Sequence, residues 1–298
     1  MTAEVEPPGR SVEYQIETVR GSIRDATFRL AMFFSIGVAI AALGTLLVQV
    51  FVDALPRLNL DLLTQFPASL PALAGARSAI IGSIWVIGAT ALFTIPLGVA
   101  AAIYMEVFAD PRRWYNRMIE VNIQNLAAVP SIVYGILGLG LLARAAHLGQ
   151  TVLTAALTLT LLVLPVVIIV SREAMRAIPS SIRDASLALG ATEQQTVWRH
   201  TLPLAVPGIA TGIILALSRA IGEAAPLLLL GGLAYVTFTP TGLDSRFTVL
   251  PIQIFNWVSR PQEEFRTLAA AAIVVLLALL LVMNSIAILI RNHYRRTW

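Results

Sequence analysis

The chain has 298 residues, of which 57% are hydrophobic and only 13% charged, with a mean hydropathy of +0.79 and a formal net charge of +4. Soluble domains carry about 25% charged residues, so this composition describes an integral membrane protein. All 21 basic residues are arginine, which excludes a phosphate-binding loop of the Walker type because that motif requires a lysine. Cysteine is absent, which excludes disulfides, thiolate metal sites and a cysteine nucleophile. His147, His200 and His293 lie too far apart in sequence to suggest a metal cluster.

In chain order, the first 29 residues are polar and charged, and Val12, Ile16, Val19 and Ile23 recur at three- and four-residue steps. That spacing predicts an amphipathic helix from Val12 to Phe28 lying on the inner membrane face. The apolar run that follows is too long, and too far from the amino terminus, for a cleaved signal peptide, so a retained helix is expected. Runs able to cross about 30 Å of hydrocarbon then fall at Leu30–Val52, Ser78–Met105, Val121–Ala143, Ala145–Ser171, Thr201–Gly232 and Thr267–Ile290. These predict an all-α integral membrane fold: an amino-terminal segment 1–29, a six-helix domain 30–290 and a tail 291–298. Pro165 is expected to break the fourth span. With the amino terminus inside, the inner segments hold fourteen arginines and the outer ones six, which places both termini in the cytoplasm. Membrane orientation therefore accounts for the basic residues, and no nucleic-acid partner is implied.

The inner connection between the fourth and fifth spans is patterned. Pro179 ends the extension of the fourth span, and a helix over Ser180–Leu189 is expected to start on a serine cap. Ile182, Ala185 and Leu189 would share one face, with Arg183 and Asp184 on the other. Gly190 occupies a helix C-cap position, a second short helix runs from Thr192 to Trp198, and Pro203 opens the fifth span. The result is a compact knob, legible from spacing alone as either a docking element or a well-built loop.

Asp184-Ala-Ser-Leu-Ala-Leu-Gly190, followed by Leu202-Pro203, resembles the EAA loop of the permeases of ABC importers. Asp184 replaces the usual glutamate, Ser186 the second alanine, and His200 a common aliphatic residue. The segments 128–140, 217–228 and 250–257, with the stretch 269–292, resemble more narrowly the PstA subunits of phosphate importers. The likeness begins near Ser78. The resemblance implies the six-helix fold of type I importers, with residues 180–203 as the coupling loop and Asp184, Ala185, Gly190, Leu202 and Pro203 docking on an ATPase. It implies a prokaryotic plasma-membrane location, a PstC-like permease partner, two PstB-like ATPase subunits and an extracytoplasmic phosphate-binding protein, PstS. ATP and Mg would be bound by the ATPases, with no cofactor and no enzymatic chemistry in this chain.

Between Thr201 and Leu243 the only charged side chains are Arg219 and Glu223, at i and i+4. At the centre of a membrane helix each charge costs roughly 2.5–3.5 kcal/mol. Gly208, Gly212, Ala216, Ala220 and Ala224 form a small-residue ridge, and both charges fall within about 20° of it, which places them on the helix-packing side. One reading is a buried ion pair that fixes packing; buried pairs contribute little net stability. The other is a phosphate contact by Arg219, with Glu223 as gate partner and Ser218 beside them, since a guanidinium fork suits oxyanion oxygens. Pro130, Ser131 and Tyr134 are secondary pathway candidates, although prolines and glycines are common in membrane helices. Competing functions are a permease for molybdate or sulfate and an ATPase-independent channel or carrier. An embedded enzyme lacks support, because no His-Glu-x-x-His motif is present.

Overall fold

The structure, a computed structural model, describes residues 23–110, 112–230 and 236–293. The expected amphipathic helix from Val12 to Phe28 lies mostly outside the described residues. The chain divides into two units, Met1–Gln49 and Val50–Trp298. In the first unit the described residues belong to one helix, α1 (Ile23–Ala54), which has a stretch of mean hydropathy 2.3 and carries no charge between Arg29 and Asp53.

In the second unit α2 (Leu60–Thr64) starts where Asn59 Oδ1 accepts the Leu62 N–H, a side-chain N-cap. The long helix α3 (Arg77–Ile103) continues through a π-helical turn at Tyr104–Phe108. Next come α4 (Trp114–Ala127) and α5 (Ser131–Leu137), the latter extended by a π-helical segment Gly138–Ala145. The central helix is α6 (Val152–Arg176), capped by the Thr151 hydroxyl. It leads to α7 (Ser180–Ala188), α8 (Glu193–Thr196) and α9 (Leu202–Ile221), the last two joined by a π-helical turn at Val197–Thr201. Finally α10 (Ala225–Leu229) and α11 (Leu250–Val258) precede α12 (Glu263–His293). Among the described residues five helical runs are long and apolar enough to span a membrane, or six if the bent pair α4–α5 is one span.

Glycine sets the packing around α6. Any Cβ at Gly212 would collide with Val170, at Gly208 it would come within 2.9 Å of Ala174, and at Gly98 within 2.6 Å of Val167. At these points a side chain of α6 rests directly on the glycine backbone of α3 or α9, the small-residue packing favoured where lipid supplies no hydrophobic drive. Ala216 and Ala220 complete the α9 side of the seam, both buried. A first apolar cluster surrounds Leu159, Val163 and Ile221; a second joins α11 and α12 to the start of α3 through Trp257, Phe265 and Leu268.

Three of the expected spans need correction. The third span is not one helix: α4 and α5 are set at 104° to each other across Ala128–Pro130. Pro130 is the cause, because the helical region is disfavoured for the residue before a proline and Pro130 itself is extended, at φ −56° and ψ 136°. The fourth span begins at Val152 rather than Ala145, after a turn in which His147 and Gly149 take positive φ of 55° and 67°. Pro165 does not break it. The ring removes one backbone hydrogen bond, but close packing by α3 and α9 holds the helix on both sides of it. The fifth run ends at Ile221, with Gly222 as its cap, so Ala224 lies beyond the small-residue ridge.

Two glycines of α3 give a direct check of this packing. At Gly82 an added Cβ would strike the Thr248 carbonyl oxygen, whereas at Gly88 nothing lies within 4 Å. Gly82→Ala is expected to destabilise the purified protein by about 3 kcal/mol, the upper range for overpacking. Gly88→Ala should be neutral or slightly stabilising, and thermal unfolding in detergent separates the two.

Candidate functional site

Arg219 lies in the last turn of α9, and Glu223 follows the Gly222 cap. Arg219 Nε is 3.3 Å from Glu223 Oε1, with the arginine side chain 65% exposed and the glutamate 17%. The expected pairing is present, but Arg219 is more exposed than its place by the ridge implied: Ala216 and Ala220 are buried, while the arginine side chain is largely exposed at the edge of the seam with α6. Because α9 stops at Gly222, the i,i+4 pair sits in the helix's final turn.

Arg219 shares a crevice of about 20 Å³ with Ala127, Leu162, Val163, Val166 and Ala216. That is room for about one water. Leu162 and Val163 are near the midpoint of α6, so the ion pair stands halfway along a 25-residue helix. Ala127 is the last residue of α4. Two helix breaks lie beside this crevice, that of α4–α5 and that of α9–α10, and the short helices that follow them touch: a Cβ on Gly135 of α5 would lie 2.7 Å from Pro226 Cα of α10. Paired helix breaks at mid-depth are where transporters expose backbone and charge to a substrate.

The neighbouring candidates take other roles. Ser218 Oγ lies 2.7 Å from Ile214 O and 2.6 Å from Asn284 Oδ1, so it faces α12 and not the crevice. Pro130 caps α5, Ser131 opens it, and the buried Tyr134 hydroxyl donates to Leu126 O at 2.8 Å, tying α5 back onto α4 across the break. Pro130 and Tyr134 thereby shape the corner beside Arg219.

The knob forms largely as the sequence predicts. Gly190 has φ +84°, a left-handed C-cap, and α7 and α8 are joined by an Arg183–Glu193 ion pair at 2.9 Å and a Ser186–Thr196 hydroxyl contact at 2.9 Å. A capping box between Thr192 and Gln195 starts α8. Two details differ. No side chain caps α7, whose N-cap is Pro179, because Ser180 is already its first helical residue. The inward face is Ile182 and Ser186, not Ile182, Ala185 and Leu189: Ser186 is buried, while Asp184, Ala185 and Leu189 are turned out, Leu189 to 90%. The second short helix does not stop at Trp198; it runs through the π turn into α9, with Leu202 on the apolar cluster beneath the knob and Pro203 in the first turn of α9.

One cluster escaped the sequence reading. Arg172, 8% exposed, donates from Nε to Glu106 Oε2 at 3.3 Å and from a terminal nitrogen to Glu120 Oε1 at 3.0 Å. Arg176 also reaches Glu106, at 2.9 Å. These arginines read only as orientation marks because their acids stand 52 to 70 positions away in the chain. The one available signal was that Glu106 is the lone acid at the end of a long apolar run. Among the described residues no group of three metal-ligating side chains is close enough to hold a metal.

Residues 94–296 match the family described as binding-protein-dependent transport system inner membrane component, and the chain belongs to that family. It is a multi-pass transport subunit. Among relatives, the probable ABC transporter permease YqgI of Bacillus subtilis is 34% identical over 224 residues, 74% of this chain and 76% of that protein. The phosphate transport system permease PstA 2 of Mycobacterium bovis is 30% identical over 294 residues, 98% of this chain and 94% of its own. PstA 1 of Mycobacterium tuberculosis is 32% identical over 188 residues, 63% and 61%. In fold, a chain of the bacterial alginate ABC transporter superposes with a TM-score of 0.64 at 16% identity, covering 89% of this chain and 93% of that one. A chain of the MetNI methionine ABC transporter gives 0.57 at 18%, covering 72% and 94%. The architecture is that of type I ABC importer permeases.

The left-handed cap of the knob predicts a graded response. Gly190→Ala should cost about 1–2 kcal/mol of local stability, and Gly190→Asn clearly less, read as faster amide hydrogen exchange confined to α7 and α8.

Proposed function

We propose that this chain is a PstA-like permease subunit importing inorganic phosphate, and that it forms one half of a translocation pathway completed by a PstC-like permease. The observation that carries the reading is the Arg219–Glu223 pair, held at mid-height of α6 where two broken helices meet. Exposed i,i+4 ion pairs contribute only about 0.3–0.5 kcal/mol to stability. Packing therefore gives no reason to keep an arginine there. The fork suits two oxygens of a tetrahedral oxyanion, and Glu223 holds it when no anion is present.

A crevice of one-water size does not enclose an anion, so the missing wall belongs to the second permease. Binding at such a station has to be weak enough to release. Capture at high affinity then falls to a PstS-like phosphate-binding protein outside the membrane. Two PstB-like ATPases bind ATP and Mg in the cytoplasm of a prokaryotic cell, where both termini of this chain and the knob also lie. Asp184, Ala185 and Leu189, turned outward on α7, form the surface that meets one ATPase. Closure of the ATPases on ATP moves the knob, opens the pathway outward to receive phosphate, and hydrolysis returns it inward. The PstA relatives support the cargo, and the family supports the architecture.

In proteoliposomes containing all subunits, Arg219→Gln should lower phosphate uptake about 100-fold, the worth of a charge-assisted bidentate contact. Assembly and binding-protein affinity should stay unchanged, and Arg219→Lys should keep part of the uptake. Full uptake by Arg219→Gln removes the site. Inhibition by unlabelled sulfate or molybdate, but not by phosphate, reassigns the cargo, and purification without an ATPase rejects the coupling.

A further inference from the structure

Glu106, Glu120, Arg172 and Arg176 form a partly buried ion network that the transport reading leaves without a task. It joins three elements: the π-helical turn ending α3, the middle of α4 and the last turns of α6. Arg172 is its centre, with its side chain 10% exposed and both ends of its guanidinium engaged, one on each acid. Beside it lies a cavity of about 160 Å³ lined by the same four side chains.

Stability does not account for the arrangement. Buried ion pairs gain little over apolar packing of the same volume, and an apolar cluster of Ala102, Ile168, Met175, Val197 and Ile209 already binds α3, α6 and the base of the knob. On α4 this cluster is met by Ile123, and apolar contact of that kind is non-directional, so it sets register less sharply than ion pairs do. A guanidinium that must satisfy two carboxylates on two different elements fixes it sharply, because sliding either element strands a buried charge. The network also stands between the two functional regions. Arg176 is three residues before Pro179, the start of the knob. Glu120 is two helical turns before Ala127, which lines the Arg219 crevice.

We propose that Arg172 is a positioning residue for coupling: by clamping Glu106 and Glu120 it makes α4 move as one body with α6 and the knob. Displacement at the ATPase surface then arrives at the Arg219 crevice instead of being lost by slippage of α4. The proposal rests on the permease reading for its drive, but not on phosphate as the cargo.

The test uses the complete transporter with its binding protein and ATPases in proteoliposomes. This chain has no cysteine, so with any cysteines of the other subunits replaced, spin labels go only on Met118→Cys in α4 and Ala188→Cys in α7, both exposed. With Arg172 native, the distance between the labels should be the same in the nucleotide-free and ATP-trapped states. In Glu120→Gln, which leaves the Arg172–Glu106 contact to hold the fold, the two states should differ. ATP hydrolysed per phosphate imported should also rise about tenfold in Glu120→Gln, at equal amounts of assembled complex. Arg172→Lys keeps the charge but offers one ammonium where the fork reached two acids, so it should recover only part of the native ratio. A label distance that changes with nucleotide in the native background overturns the proposal, as does a native ratio in assembled Glu120→Gln. If Arg172→Lys does not assemble, Glu120→Gln still decides. If the native transporter imports no phosphate, the cargo reading fails and the label distances still judge the clamp.

Discussion

Nothing but hydrogen separates α9 from the side chains of α6 at Gly208 and Gly212, and the placement of every functional group follows from that close approach. In a bilayer, helices gain nothing from hiding apolar surface from one another, so association rests on how near the backbones come. With α3 joined in the same way through Gly98, the helices α3, α6 and α9 form a stiff unit around α6. The crevice at Arg219, the knob and the ion network all rest on this unit, with α4 contributing Ala127 and Glu120. A stiff centre is what allows a charge to be held at mid-depth without the helices yielding around it.

Charge is then used in two distinct settings. At Arg219 one guanidinium is two-thirds exposed and meets one acid through a single nitrogen, so its remaining donors are available. At Arg172 the guanidinium is buried and both ends are committed. The same side chain keeps most of its donors free of protein partners in the first case and is locked to its neighbours in the second. Burial and the number of partners separate the two, and neither is a property of the residue type. The absence of lysine from the chain fits this use, because a planar fork serves both settings better than a point charge.

Helix breaks complete the design. Pro130 turns the third span through a right angle, the Tyr134 hydroxyl ties the corner, and α9 ends at Gly222 at the same level. Interrupted helices expose backbone groups that lipid does not tolerate, so they occur where protein or a watery crevice covers them. The glycine contact of Gly135 with Pro226 closes one side of that covering within the chain.

Residue by residue, what was legible follows from the range of the forces involved. Uncharged runs, the Gly190 cap, the Thr192 start of α8 and the Arg219–Glu223 spacing are local, and hydropathy, backbone conformation and the 3.6-residue period decide them within a few positions. The bend at Pro130 and the uninterrupted passage of α6 through Pro165 are opposite outcomes for one residue type. Only the neighbours settle them, because a helix held on two sides by α3 and α9 keeps its course and one held less closely does not. The outward turn of Ala185 and Leu189 depended on where Ser186 finds Thr196. The Arg172 clamp joins residues 52 and 66 positions apart, a pairing that periodicity does not encode. Sequence by itself determined a membrane chain with its spans, its knob and one charged pair at depth; tertiary packing decided which face each charge presents, because that depends on backbones meeting across the fold.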